Sequence, residues 1–190
     1  MHLAYTDEAN KLLEQEPLAL LIGMLLDQQI PMEKAFTSPE VLRERMGGTL
    51  DARTIADYDP DALEAIFREP PALHRFPAAM AKRVQALARV LVERYDGDAR
   101  SVWDGATSGA EVVRRVGSLP GFGEQKAQIF TALLGKQYGV RPRGWRQAAG
   151  DFGPDGVHRS VADVVDDASL QKVRAYKQEL KAAAKVAASS

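Results

Sequence analysis

The clearest chemistry in the chain lies in residues 118–127, Ser118-Leu-Pro-Gly-Phe-Gly-Glu-Gln-Lys-Ala127. Gly121 and Gly123 let the backbone turn tightly without a Cβ clash and expose successive N–H groups. The helix expected to follow points its N-terminus, with its unbonded N–H groups and partial positive charge, at the same spot. That geometry holds a phosphate oxygen without a basic side chain. Leu119 and Phe122 are expected to face inward and pin the turn. Ala127 is small enough for the flanking helices to approach, and Val113 and Val116 should supply the inner face of the first. A plain helix–turn–helix link with two incidental glycines is the competing explanation. Leu-Pro-Gly-aromatic-Gly together with Ala six residues after the first Gly favours phosphate binding. Such a hairpin grips backbone and leaves the base sequence unread. The candidate contact set of this phosphate-binding turn is Leu119, Gly121, Phe122, Gly123, Gln125 and Lys126.

Composition sets the limits around that motif. The chain has 190 residues, 45% of them hydrophobic and 27% charged, enough for a proper core and too polar for a membrane protein. With no Cys, disulfides, thiolate metal sites and thiolate-held iron–sulfur clusters are excluded, and three His make a His-rich metal site unexpected. No cofactor is expected, with a monovalent cation at the hairpin left open. The N-terminus lacks a basic region followed by an apolar run, and Leu18 to Leu26 is too short an apolar stretch to span a bilayer. A soluble, cytoplasmic protein with no membrane partner is the expectation. The net charge of −1 hides an uneven distribution. Residues 1–69 hold 6 Lys/Arg against 14 Asp/Glu, whereas residues 70–146 hold 13 against 6. The basic middle can face phosphates even in an acidic protein, although a solvated helical surface explains the charges equally well.

Helical periodicity dominates the elements that would position the hairpin. Thr6-Asp-Glu-Ala opens a helix running to about Gln15. Pro17 suits the first turn of a second helix, apolar nearly all round and therefore central, which is expected to reach Gln29. Ser38-Pro-Glu reads as a third helix start, closed by Gly47-Gly48, and Asp59-Pro-Asp as a fourth. A long helix is expected from about Pro77 to Tyr95, stopped by Asp96-Gly97-Asp98. Short helices at Gly109 to Val116 and about Gln125 to Gly135 flank the hairpin, which occupies 112–135 overall. Residues 136–156, rich in Gly, Pro and Arg, read as a loop, and a last helix spans about 169–187. No stretch alternates with the period of a strand and no repeat is present, so residues 1–190 read as one all-α domain of roughly eight to ten helices. Trp145, among Arg141, Arg143 and Arg146, could stack on a base or cover a core edge. Trp103, Phe76 and Tyr138 are expected in the core. Lys172, Lys177, Lys181 and Lys185 form a solvated face first and a phosphate contact second. By residue type alone, Gln28 and Gln29 simply close a core helix.

From about Leu18 to the last helix, the chain resembles the helix-hairpin-helix/Gly-Pro-Asp (HhH-GPD) superfamily of base-excision DNA glycosylases. The resemblance rests on the hairpin, on Leu21-Ile-Gly-Met-Leu-Leu-Asp-Gln-Gln-Ile-Pro-Met and on Phe76 to Gly97, which is similar to the family helix leading towards the hairpin. It implies two helical lobes around a cleft. In the family a Gln commonly plugs the gap left by a flipped nucleotide; Gln29 matches it best, with Gln28 beside it. Asp27 stands where a small hydroxyl residue is more usual. In bifunctional members a catalytic Lys lies two residues before the conserved Ala, and here that position is Gln125, which cannot form a Schiff base. Lys126 lies about 100° further round the helix and is not promoted to that role. The family's essential Asp follows a Gly/Pro-rich loop at the start of the next helix, where it stabilises the sugar cation and helps position water. Two residues compete for that role. Asp155 follows Gly153-Pro154 and precedes His158, approximating the family's Asp-x-His pattern with one extra residue. Asp163 lies further on, in Ser160-Val-Ala-Asp-Val. Motif order leans to Asp155; either could instead be a helix cap or loop carboxylate.

The resemblance implies a monofunctional DNA glycosylase, acting as a monomer on double-stranded DNA, that flips a damaged or mispaired base and hydrolyses its N-glycosidic bond. A non-catalytic DNA-binding relative is the first alternative, favoured by the long 136–156 loop. A helical protein-interaction module with a purely structural hairpin is the second.

Overall fold

A computed structural model describes residues 1–188. Among them the chain forms ten α-helices and short 3-10 turns, with no strand; one isolated bridge joins Ser108 and Arg143. No helix is long and apolar enough to cross a membrane.

The central element is α2 (Pro17–Leu26), in which every residue after Pro17 is buried. It starts directly after α1 (Asp7–Gln15), whose Thr6 cap accepts the Ala9 N–H at 3.2 Å. Gly23 lets the Phe36 ring of α3 (Met32–Arg45) lie on the α2 backbone; a Cβ there would come within 2.5 Å of the ring. Two boundaries differ from the sequence expectation. Helix α2 stops at Leu26, short of Gln29, because the Gln28 N–H closes a tight turn on Leu26 O and Gln29 takes φ +59°. Helix α3 begins at Met32, which leaves Pro39 inside the helix. Ser38 does not cap it: its hydroxyl donates to Lys34 O and Leu73 O, both at 2.8 Å.

Asp51 and Asp59 cap α4 (Ala52–Asp57) and α5 (Pro60–Arg68), which pack on the long α6 (Pro77–Tyr95). Asp96 and Gly97, both left-handed, end α6. Ser108 then caps α7 (Gly109–Gly117), the hairpin follows, and α8 (Glu124–Gln137) leads into residues 136–156. That segment, expected to be a loop, contains the short α9 (Trp145–Ala148) and a 3-10 turn. Its anchor is Trp145, 6% exposed, whose indole covers Gly135 of α8 so closely that a Cβ there would sit 2.3 Å from the ring. Trp145 thus seals a core edge. A continuous apolar core runs from Leu3 to Val173. Trp103 lies in it with Phe130 and Tyr138 against its ring, while Phe76 is 42% exposed, against expectation. On α7 the inner face is Val112 and Val116; Val113 is only half-buried. Helix α10 (Asp167–Ala188) buries only Ser169, Leu170 and Val173 and leaves its later turns exposed.

The α7–α9 contact needs a glycine at its centre. A Cβ on Gly109 would lie 2.3 Å from the Trp145 Cα, and backbone cannot swing aside as a side chain can. Gly109→Ala is therefore expected to destabilise the fold by about 1–3 kcal/mol in urea unfolding. Gly123→Ala, where no atom lies within 4 Å, should change stability by no more than about 0.5 kcal/mol.

Candidate nucleic-acid interface and cleft

The hairpin closes through local hydrogen bonds. Leu119 N–H donates to Val116 O at 3.0 Å and Phe122 N–H to Leu119 O at 3.1 Å. Leu119 and Phe122 point inward as expected, and the Phe122 ring meets Phe130 edge-on at 6.0 Å. Gly121 is required twice: its φ is +83°, and a Cβ would come 3.2 Å from Leu25 of α2. Gly123 is extended and crowds nothing, so its value lies in leaving the N-terminus of α8 uncovered. Among the described residues no acceptor meets the N–H groups of Gly121, Gly123 and Gln125, and all three residues are exposed. Free donors at the positive end of a 14-residue helix are chemically suited to hold an anion.

A cleft of about 360 Å³ opens beside this N-terminus. Its walls are the end of α2 (Met24, Asp27), the first turns of α8 (Gln125, Lys126, Ile129), the segment 151–161 and one face of α10 (Tyr176, Lys177, Leu180). Lys126, placed by sequence among the DNA contacts, turns inward: its Nζ donates to Met24 O at 2.9 Å and Leu25 O at 3.2 Å. Those carbonyls belong to the last turn of α2, which has no intrahelical donors left for them, so an ammonium suits both bonds and dipole. Burial lowers the Lys126 pKa, with Asp27 acting against the shift and Arg83 adding to it.

Asp27 is the residue that sequence reasoning noticed only as a departure. It caps the C-terminus of α2 and lines the cleft, and its carboxylate makes no hydrogen bond or ion pair among the described residues. Burial pushes its pKa up; Lys177 and Lys126 oppose this, and Glu33 adds to it. The signal in the sequence was a lone acid closing an all-apolar helix. Gln28 and Gln29 follow on the turn. The Gln28 side chain donates to Leu25 O and accepts from Arg83, each at 2.8 Å, whereas Gln29 is exposed in its left-handed conformation. His74, not anticipated from sequence, fixes that turn from behind. Its Nε2 reaches Gln28 O at 2.9 Å and Leu26 O at 3.2 Å, and its Nδ1 accepts the Phe76 N–H. The proton therefore sits on Nε2, and burial lowers the His74 pKa, favouring this neutral form.

Asp155 and Asp163 lie apart from the cleft, around a separate recess that also holds His158. The Asp155 side chain is 72% exposed and pairs with Arg146 at 2.7 Å. Asp163 is 5% exposed: one oxygen meets Lys136 Nζ at 2.6 Å, and the other accepts the N–H groups of Arg159 and Ser160. The α-helix that follows α8 begins at Gly144 and Trp145 and has no acid in its first turn. The remaining carboxylate on the cleft wall, Asp151, is exposed and faces Arg159 at 3.5 Å.

The family model described as HhH-GPD superfamily base excision DNA repair protein matches residues 22–189. No curated protein matches the chain.

Two stability measurements separate the roles of these acids. Asp163→Ala strands the buried Lys136 and is expected to cost about 3–5 kcal/mol in urea unfolding, whereas Asp155→Ala should stay within about 0.5 kcal/mol. Asp27 has the opposite sign. Its folded pKa is raised, so the folded state holds the proton more tightly and stability falls as pH rises from the ordinary carboxylate value through the raised one. Asp27→Asn is expected to raise the melting temperature at neutral pH, and the difference should vanish below the ordinary carboxylate pKa. Equal melting curves at neutral pH would contradict this.

Proposed function

The chain belongs to the HhH-GPD superfamily of base excision DNA repair proteins, and from that membership we propose that it is a monofunctional DNA glycosylase acting on duplex DNA as a monomer. The observation that carries the proposal is the set of unbonded hairpin N–H groups opening beside a cleft of about 360 Å³. Such a volume falls in the usual range of small-molecule sites, about 300–1,000 Å³. The hairpin would hold one phosphate and set the register on the duplex without reading sequence. The unbonded carbonyls of Ser118 and Gly121 at the same turn suit a monovalent cation, which would add positive charge beside that phosphate. Gln29, exposed on its strained turn, would fill the gap in the stack, and the displaced base would enter the cleft. Damaged or mispaired bases cost less to extrude, which supplies part of the selectivity. Gln125 faces the cleft where a lyase would carry lysine, and an amide cannot form a Schiff base. Base release without strand cleavage follows.

A non-catalytic DNA-binding relative is the second assignment, favoured by the acid-free first turn of the helix after α8. A panel of duplexes carrying deaminated, oxidised, alkylated and mispaired bases distinguishes the two. A glycosylase leaves alkali-labile sites at one class of lesion and no breaks before alkali. The relative binds duplex with steep salt dependence and releases no base from any of them. Breaks formed before alkali treatment would contradict the monofunctional assignment. In the same binding assay, Gly121→Ala is expected to weaken duplex affinity roughly tenfold, the loss of one or two charge-assisted hydrogen bonds to phosphate.

A further inference from the structure

Asp27 is held in a place that disfavours it. It stands at the negative end of α2, half-buried, with Glu33 adding repulsion, and it makes no hydrogen bond or ion pair among the described residues to offset this. Lys126 and Lys177 act on it from two other elements, α8 and α10, yet neither is close enough to pair with it. Lys126 is instead tied to the α2 carbonyls at 2.9 and 3.2 Å. An acid kept unpaired in a cleft, against burial, dipole and a like charge, has a free face for a ligand. It also adjoins two recesses, because the hollow between α3 and α10 is lined by the same Asp27 and Lys177. Other aspartates face cations: Asp163 is closed by Lys136, Asp155 pairs with Arg146, and Asp151 is exposed with Arg159 at 3.5 Å.

We infer that Asp27 is the catalytic carboxylate of the cleft, acting on the sugar of the flipped nucleotide. The inference rests on the glycosylase assignment and supplies the group which that assignment lacks. In the step, the C1′–N bond breaks and its electron pair leaves on the base, so positive charge develops on the deoxyribose. The Asp27 carboxylate faces that charge and stabilises it. A water oxygen then bonds to C1′. One of its protons passes to Asp27 and the other stays on the new C1′ hydroxyl. The departing base takes one proton from solvent and Asp27 returns one to solvent, so the sum is sugar–base plus water giving sugar–OH and base–H. Lys126 is a positioning residue: by clasping the last carbonyls of α2 it fixes the turn that carries Asp27. Gln125 shares the cleft and offers an amide to the water or the base.

The test needs no knowledge of the lesion. Two duplexes carry an abasic mimic at one position: a pyrrolidine, cationic at neutral pH, or a neutral tetrahydrofuran. The full chain is expected to bind the cationic duplex at least about tenfold more tightly than the neutral one, as a site built for a sugar cation should. Asp27→Asn should abolish the preference, and cooperative thermal unfolding of the variant reports that it is folded. Asp155→Asn should keep the preference. A wild-type chain without preference, or a preference that survives Asp27→Asn, overturns the inference while leaving DNA binding intact. If neither abasic duplex is bound better than unmodified DNA, the glycosylase assignment fails, and the inference fails with it.

Discussion

The Lys126 ammonium joins two helix ends that face each other. It rises from the first turn of α8 and closes on Met24 O and Leu25 O in the last turn of α2. Beside it Gly121 lies against Leu25, whose side chain would be 3.2 Å from an added Cβ. The hairpin is thereby tied to the buried central helix, and its unbonded N–H groups are held beside the cleft. Leu119 and Phe122 anchor the hairpin in the core, and the clasp adds the link to α2. The same bond seats the turn that bears Asp27, Gln28 and Gln29. The proposed grip, plug and carboxylate all refer to one joint.

Around that joint some polar groups are satisfied by protein partners and others are left open. His74 spends both ring nitrogens on backbone, Gln28 is held between Leu25 O and Arg83, and Asp163 is closed by Lys136 and two N–H groups. These groups fix positions. The hairpin N–H groups and the Asp27 carboxylate remain unmatched, and both open beside the same cleft. Groups left unpaired at a site lower stability, and their clustering there fits a surface shaped for a ligand that supplies the missing partners.

Local signals were legible in the sequence and tertiary ones were not. Pro17, Asp59-Pro60 and Pro77 mark helix starts where α2, α5 and α6 begin, because a proline at the first turn acts through its own backbone. Leu-Pro-Gly-Phe-Gly gave the hairpin for the same reason. Ser38-Pro39 carried an equally good local signal and misled, since the Ser38 hydroxyl is captured by Leu73 O, 35 residues away. Residues 136–156 read as loop because their order comes from Trp145 docking on Gly135, a contact no local pattern announces. The site divides likewise. The glycines could be placed from spacing and Gln125 from the family resemblance, but the emphasis on Asp155 and Asp163 came from chain order, while what sets Asp27 apart is its lack of a partner. Only the structure reveals which acids are already paired.

In the proposed function the hairpin and the cleft work together to take a base out of the duplex. Fluorescence of 2-aminopurine at a mismatched position, titrated with the chain, tests it most directly, since the probe brightens when it leaves the stack. The expected result is a rise in emission that tracks binding and is lost in Gln29→Ala under conditions where duplex is still bound. Saturating binding with unchanged emission at mismatched sites would contradict the account.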